Sequence, residues 1–220
     1  MTKIDRKCRE TTVKIDRPNL LFVEGEQDRR FFEAFASHLA IADCLRVIAA
    51  DGKHGFTGAL RVAVKDPGFP KVRSATVALD ADDDWRRAFQ SACTALQNAG
   101  LEPPPEPWML SDADPRTAVL VLPGKGRNGE LEDLCLESVS DDPAMLCVDG
   151  FVKCVKASCG RSQPRNWSKC RTQVFLASRE RPELRLAEAA ESGYWPWEAD
   201  AFSELRQFLL SLPGTTEAEG

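Results

Sequence analysis

The sequence predicts an α/β fold: a mostly parallel sheet of about four strands flanked by helices, followed by a C-terminal helical extension. Three observations predict it. Four short, largely apolar runs at residues 19–23, 45–49, 75–79 and 118–122 have the pattern of strands covered on both faces. Apolar residues between the first three runs recur at helical spacing, and beyond residue 130 helical patterns alone continue. Strands alternating with helices give βαβ units, whose ligands sit outside the carboxyl ends of the strands.

The first run, behind Pro18, leads into a helix marked by Phe31, Phe32, Phe35 and Leu39. The second is followed by a glycine-containing turn, Gly52-Lys53-His54-Gly55, and a helix ending near Lys65, before Pro67, Gly68 and Pro70 break the chain. The third runs directly into Asp80-Ala81-Asp82-Asp83-Asp84, after which Trp85, Phe89, Cys93 and Leu96 mark a helix stopping at Gly100. A proline-rich loop precedes the fourth run, which closes on Pro123 and the turn Gly124-Lys125-Gly126. Helical segments are expected at 131–136, 144–155, 173–178, 186–191 and 202–212. The expected organisation is a charged N-terminal segment (1–17), an α/β core (18–140), a helical extension packed on it (141–212) and a frayed tail (213–220).

Composition is that of a globular protein, with 43% hydrophobic and 29% charged residues. No stretch has the apolar length of a secretory signal or of a membrane span, so the reading is a cytosolic protein with its eight cysteines reduced. No CxxC pair occurs, and Cys154, Cys159 and Cys170 are spaced unlike a zinc knuckle. The net charge of −5 excludes a uniformly basic coat. It is unevenly spread: residues 151–185 carry nine basic and two acidic groups, leaving −12 on the rest of the chain. That stripe includes Arg161, Arg165, Lys169, Arg171 and Arg185, interleaved with Trp167 and Phe175, and suits either a phosphate backbone or solvated helix faces.

Acids stand where such a fold puts its site. Glu24 ends the first strand, with Gly25 beside it and Asp28 one turn into the next helix; Asp80 and Asp82 end the third. On an extended segment, side chains two apart point the same way, so Asp80 and Asp82 are expected to share a face. If strands one and three are adjacent, Glu24, Asp80 and Asp82 converge. Two carboxylates about 5 Å apart repel by roughly 3 kcal/mol at an effective dielectric of ~20, so the group needs protons or a cation. With no His/Cys set nearby, Mg²⁺ or Mn²⁺ is the expected ion. The plainer alternative is structural: Asp28 favouring the helix dipole and residues 82–84 capping the helix that begins at Trp85. Lys53 and His54, near the end of strand two, are candidate phosphate contacts, as is Lys125 in its turn.

The elements L-F-V-E-G-E-Q-D (21–28) and A-L-D-A-D-D-D (78–84) resemble the two signatures of the Toprim domain, found in topoisomerases, bacterial primases, RecR-type repair proteins and the overcoming-lysogenization-defect nucleases. With G-E-L-E-D-L (129–134) and G-Y-W-P-W (193–197), nearly the whole chain resembles standalone bacterial and archaeal Toprim-like proteins of unknown function. The resemblance implies a Toprim, Rossmann-like sheet in which Glu24 is a general acid/base or metal ligand and Asp80 and Asp82 hold metal. From the nuclease branch it implies that Asp28 joins the metal set and that Glu132, with Glu130 or Asp133 as neighbours, serves a second ion. The implied chemistry is attack of metal-activated water on a nucleic-acid phosphodiester, DNA or RNA.

Tyr194, the only tyrosine, sits between Gly193 and Trp195 in what resembles a packing motif rather than a topoisomerase nucleophile. Trp195 and Trp197 read as an anchor for the last helix. No Walker-type phosphate loop is present, so a coupled ATPase would be a separate chain. Two alternatives stand beside the nuclease: a catalytically quiet Toprim-like module that binds metal or nucleic acid or scaffolds a partner, and a receiver-like domain with Asp80 as phospho-acceptor. Monomer and oligomer are both compatible with the sequence.

Overall fold

The computed structural model describes residues 14–160 and 163–214. Cys8, Arg161, most of the predicted N-terminal segment and the end of the predicted tail lie outside the described residues.

The four apolar runs form one sheet of β1 (Asn19–Val23), β2 (Leu45–Ala49), β3 (Ser74–Asp80) and β4 (Arg116–Leu122), in the order β2-β1-β3-β4. All three pairings are parallel, with Asn19 opposite both Leu45 and Ser74, and Ser74 opposite Arg116. The fold is therefore α/β and Rossmann-like. Both faces are covered, which is why the strands read as apolar runs and not as alternation.

The period-two geometry of a strand divides the sheet residues between two cores. Leu20, Phe22, Ile48, Val77, Leu79 and Val121 face α2 (Phe56–Val64) and α3 (Trp85–Asn98). Leu21, Val23, Val47, Ala78, Leu120 and Leu122 face α1 (Glu26–His38), α4 (Leu131–Ser138) and α5 (Ala144–Ser158). The same core takes in α6 (Trp167–Ala177), α7 (Leu186–Glu191) and α8 (Ser203–Leu210). It crosses the predicted boundary at residue 140 without a break, Phe175 and Leu209 being buried with Leu21 and Leu120.

Two features tie the C-terminal half down. Asn19, fully buried, donates through Nδ2 to Cys44 O at 3.1 Å and Pro213 O at 3.0 Å, while its Oδ1 accepts from Ser74 Oγ at 2.7 Å. Trp195 is buried, stacks on Phe175 at 5.7 Å and donates from Nε1 to Leu186 O at 3.1 Å, so it joins α6 to the start of α7. Trp197 packs against Phe31, Phe35 and Phe202, between α1 and the short turn leading into α8. Tyr194 is a packing residue whose hydroxyl accepts from Arg181 N at 3.2 Å.

The helix expected at 173–178 begins six residues earlier, at Trp167, because Asn166 caps it by accepting from Lys169 N at 2.8 Å. No helix among the described residues is long and apolar enough to cross a membrane.

Candidate functional site

Because the chain passes from β1 to β2 on one side and returns to β3 on the other, strand order reverses between β1 and β3. A crevice opens at such a switch point, outside the carboxyl ends of the strands. Glu24 leaves β1 there, and its Oε1 accepts from Asp80 N at 2.9 Å. Asp80, the last residue of β3, accepts at Oδ1 from Leu131 N at 2.9 Å, the first residue of α4. Asp28 accepts at Oδ2 from Gly25 N at 2.9 Å, tying the first turn of α1 to the residue that precedes it.

The loop after β4 brings further acids to this edge. Asp82 and Gly129 exchange backbone hydrogen bonds of 2.9 and 2.8 Å, an isolated antiparallel bridge that pins the start of α4 beside β3. Gly129 has φ +131°, and a Cβ there would lie 2.6 Å from Asp133 Oδ2. Glu130 and Glu132 follow at once, and carboxylate oxygens of Asp80, Glu130 and Glu132 all lie within 4.8 Å of one another. These three could hold a metal ion. Asp133 is spent on structure, accepting from Glu130 N at 2.9 Å and from Ser168 Oγ at 2.7 Å.

The extended geometry expected to put Asp80 and Asp82 on one face does not continue to Asp82. The strand ends at Asp80, and Asp82 turns into the left-handed region at φ +49° to make its bridge to Gly129. Its carboxylate instead pairs with Lys53, whose ammonium also donates to Asp80 O at 3.1 Å and lies 3.6 Å from Glu24 Oε1. Lys53, read from sequence as a phosphate contact, is thus engaged by acids. Asp84, not Asp82, caps α3, accepting from Arg86 N and Arg87 N at 3.0 and 3.2 Å.

The cleft has a volume of about 720 Å³. It is lined by the acids Glu24, Asp28, Asp80 and Glu132 together with Lys169, Thr172 and Arg185. His54, Lys125, Arg165 and Arg171 are not among its lining residues. His54, Lys125 and Arg165 are exposed on turns and loops; the Lys125 N–H donates to Glu204 at 3.1 Å. Arg171 pairs with Asp149 at 2.8 Å, Arg179 with Asp142 at 2.9 Å, and Lys156 lies over the Trp167 ring at 4.9 Å, so the basic stripe is partly engaged with its own surroundings.

Crowding at the acidic wall has a clear electrostatic signature. Burial pushes Asp80 well above the usual carboxylate range; Glu24, Asp28 and Glu132 push the same way, against the Leu131 N–H. Burial lifts Glu132 to about 7, and lifts Glu24 and Asp28 as well, each opposed by backbone hydrogen bonding. Lys169 is drawn down by burial, yet Glu132, Glu130 and Asp80 outweigh that and hold it above the ordinary lysine value. Such a wall takes up protons or a cation.

The donor set fits a hard divalent ion. It consists of oxygens, and Glu130 Oε2, Gln27 Oε1 and Thr172 Oγ1 are shielded from solvent without a hydrogen-bond partner. The neighbouring Cys135 is fully buried, and burial pushes its thiol well above the usual range, so it offers no soft thiolate to zinc. Glu130 enters the sequence reading only as a neighbour of Glu132, and Gln27 and Thr172 not at all. The available signal for Glu130 was its place just before the apolar run of α4, which reads equally as an N-cap.

A family model described as a protein of unknown function (DUF3226) matches residues 18–213. No curated protein matches the chain. Among solved structures, the C-terminal region of the Xanthomonas campestris pv. campestris OLD protein aligns at 14% identity and a TM-score of 0.38, covering 89% of this chain and 98% of that one. A likeness at that level carries nothing toward fold or activity.

Proposed function

Because the chain belongs to the family of proteins of unknown function DUF3226, its activity must be argued from the cleft, and we propose a divalent-metal-dependent phosphoryl-transfer protein, a nuclease or nuclease subunit acting on nucleic-acid phosphodiesters. One observation carries this reading: three carboxylates within 4.8 Å at the carboxyl edge of a parallel sheet, one of them the half-buried Asp80 beside Glu24. The Toprim-like elements around Glu24 and Asp80 support the same reading.

Asp80, Glu130 and Glu132 would hold the ion, with Glu24 and Asp28 on the same wall; Mg²⁺ or Mn²⁺ suits such oxygens. When bound, the ion supplies Lewis-acid polarisation of a phosphoryl oxygen and a water of lowered pKa. Glu24, lifted toward the working pH by burial, is positioned to accept a proton from an attacking water. Lys169 and Arg185, which also line the cleft, would contact the phosphate, and Lys169 can leave its 3.6 Å contact with Glu130 to do so. Arg165 and Lys156 extend the basic surface beyond the cleft, and a separate ATPase chain is part of this proposal.

A specific observation favours the second reading, a catalytically quiet binding or scaffolding module: Lys53 already engages Glu24 and Asp82. Both are tested by incubating purified protein with supercoiled plasmid and with labelled single-stranded DNA and RNA in Mg²⁺ or Mn²⁺. Asp80→Ala and Glu24→Ala are prepared identically. Cleavage by the wild type that both variants lose supports the nuclease and names its substrate. Equal behaviour of all three proteins leaves the quiet module.

A further inference from the structure

Lys53 reaches the acidic wall by a route that the backbone is built to provide. Asp51 and Gly52 both take left-handed conformations, φ 60° and 90°, and Gly52 N donates to Glu24 O at 2.7 Å. The turn that follows, Lys53–Gly55, folds back on the residue after β2 so closely that a Cβ on Gly55 would stand 1.4 Å from Ala50 O. The lysine stem is thereby directed at the ends of β1 and β3, where its ammonium meets Asp80 O, the Asp82 carboxylate and Glu24 Oε1. Three oxygens around one positive centre is what a small cation would find there.

The other side of the acidic group differs. Two carboxylates, Glu24 and Asp82, face the Lys53 ammonium, whereas three, Asp80, Glu130 and Glu132, crowd together beside Lys169. Lys169 is also a weak partner, 3.6 Å from Glu130 Oε2 and 61% exposed, and that oxygen has no hydrogen bond. Thr172, only 3% exposed and on the cleft wall, likewise carries an unpartnered hydroxyl. Electrostatics and unmet polar atoms both direct an incoming ion to the α4 side.

We propose that Lys53 is a resident counter-cation: its ammonium fills the cation position between Glu24 and Asp82, and the protein takes a single divalent ion, at Asp80, Glu130 and Glu132. This rests on the reading of the cleft as a metal centre and sets its stoichiometry. The Lys53 side then presents a fixed positive charge to an anionic substrate in place of a second ion.

The test counts ions in the purified protein by electron paramagnetic resonance titration with Mn²⁺ alone. Wild type binds one ion per chain, Lys53→Met binds two while keeping its circular dichroism spectrum, and Lys53→Arg stays at one. Asp82→Asn, which leaves the α4 side untouched, still binds one. Two ions in the wild type, one in a folded Lys53→Met, or loss of the ion in Asp82→Asn would each overturn the proposal. A wild type that binds no Mn²⁺ overturns it together with the metal reading of the cleft. A protein that binds one ion but cleaves nothing loses the nuclease reading while the stoichiometry stands.

Discussion

The acidic wall makes stability in the absence of metal fall as pH rises, and Glu132 carries a measurable share of that. Burial takes its carboxyl from the ordinary 4.5 to about 7, so between those values the folded chain binds protons that the unfolded chain has released. A group with a raised folded pKa contributes stability that is present at low pH and disappears as pH climbs through the folded value. For Glu132 the loss is complete by pH 8 and amounts to about 3 kcal/mol at most, each tenfold step in proton affinity being worth about 1.4 kcal/mol. Glutamine at this position keeps the shape without the ionisation. About 2.5 kcal/mol of this falls between pH 5 and pH 8, so at about 2–4 °C per kcal/mol for a domain of this size the drop in the thermal midpoint over that window should be about 5–10 °C smaller in Glu132→Gln than in wild type. The assay is thermal unfolding by circular dichroism in EDTA at half-unit pH steps. Saturating Mn²⁺ should reverse the wild-type trend, because the ion binds the deprotonated acids. Parallel curves for the two proteins in EDTA, or a wild-type midpoint that rises across the window, would refute the reasoning.

Two further outcomes test how the cleft is held. Trp195→Ala removes a buried side chain stacked on Phe175 and hydrogen-bonded to Leu186 O, and should cost about 3–5 kcal/mol in urea unfolding; a loss below about 1 kcal/mol would show that α6 and α7 are not joined there. Gly129→Ala forces a residue to φ +131° and a Cβ against Asp133 Oδ2, so a loss of about 1–3 kcal/mol is expected along with weaker Mn²⁺ binding as Glu130 shifts; unchanged Mn²⁺ affinity would detach the bridge to Asp82 from the site.

The fold was legible because its evidence is local. Residues 19–23 and 118–122 read as strands since both sides of the sheet are covered, the latter extending to Arg116 in the structure, and the acids at Glu24 and Asp80 mark strand ends directly. Adjacency of β1 and β3 was a condition in the sequence and is a finding in the structure. What failed depended on distant contacts. Asp82 looked extended because nothing in A-L-D-A-D-D-D reveals that it must turn left-handed to pair with Gly129. Lys53 looked free because its partners Glu24 and Asp82 lie just beyond the ends of β1 and β3, far away in sequence. The start of α6 was missed because Trp-Ser-Lys-Cys-Arg-Thr has no apolar stripe, although Asn166 supplied a capping signal.

The predicted division between an α/β core and a helical extension therefore separates sequence patterns more than it separates roles. Glu24 follows β1 and Asp80 ends β3, but α6 and the start of α7 also line the cleft, through Lys169, Thr172 and Arg185. Asn166 donates to Glu130, and Ser168 to Asp133, so the first turn of α6 rests on the acids that open α4. Burial is the largest cause of the raised values of Asp80 and Glu132, and helices contributed after residue 140 provide part of that cover. Strand ends on a bare sheet would leave these carboxylates hydrated and ionised. Beneath α6 and α7 they are driven to share protons or an ion, so the C-terminal helices help make the strand-end acids a candidate centre.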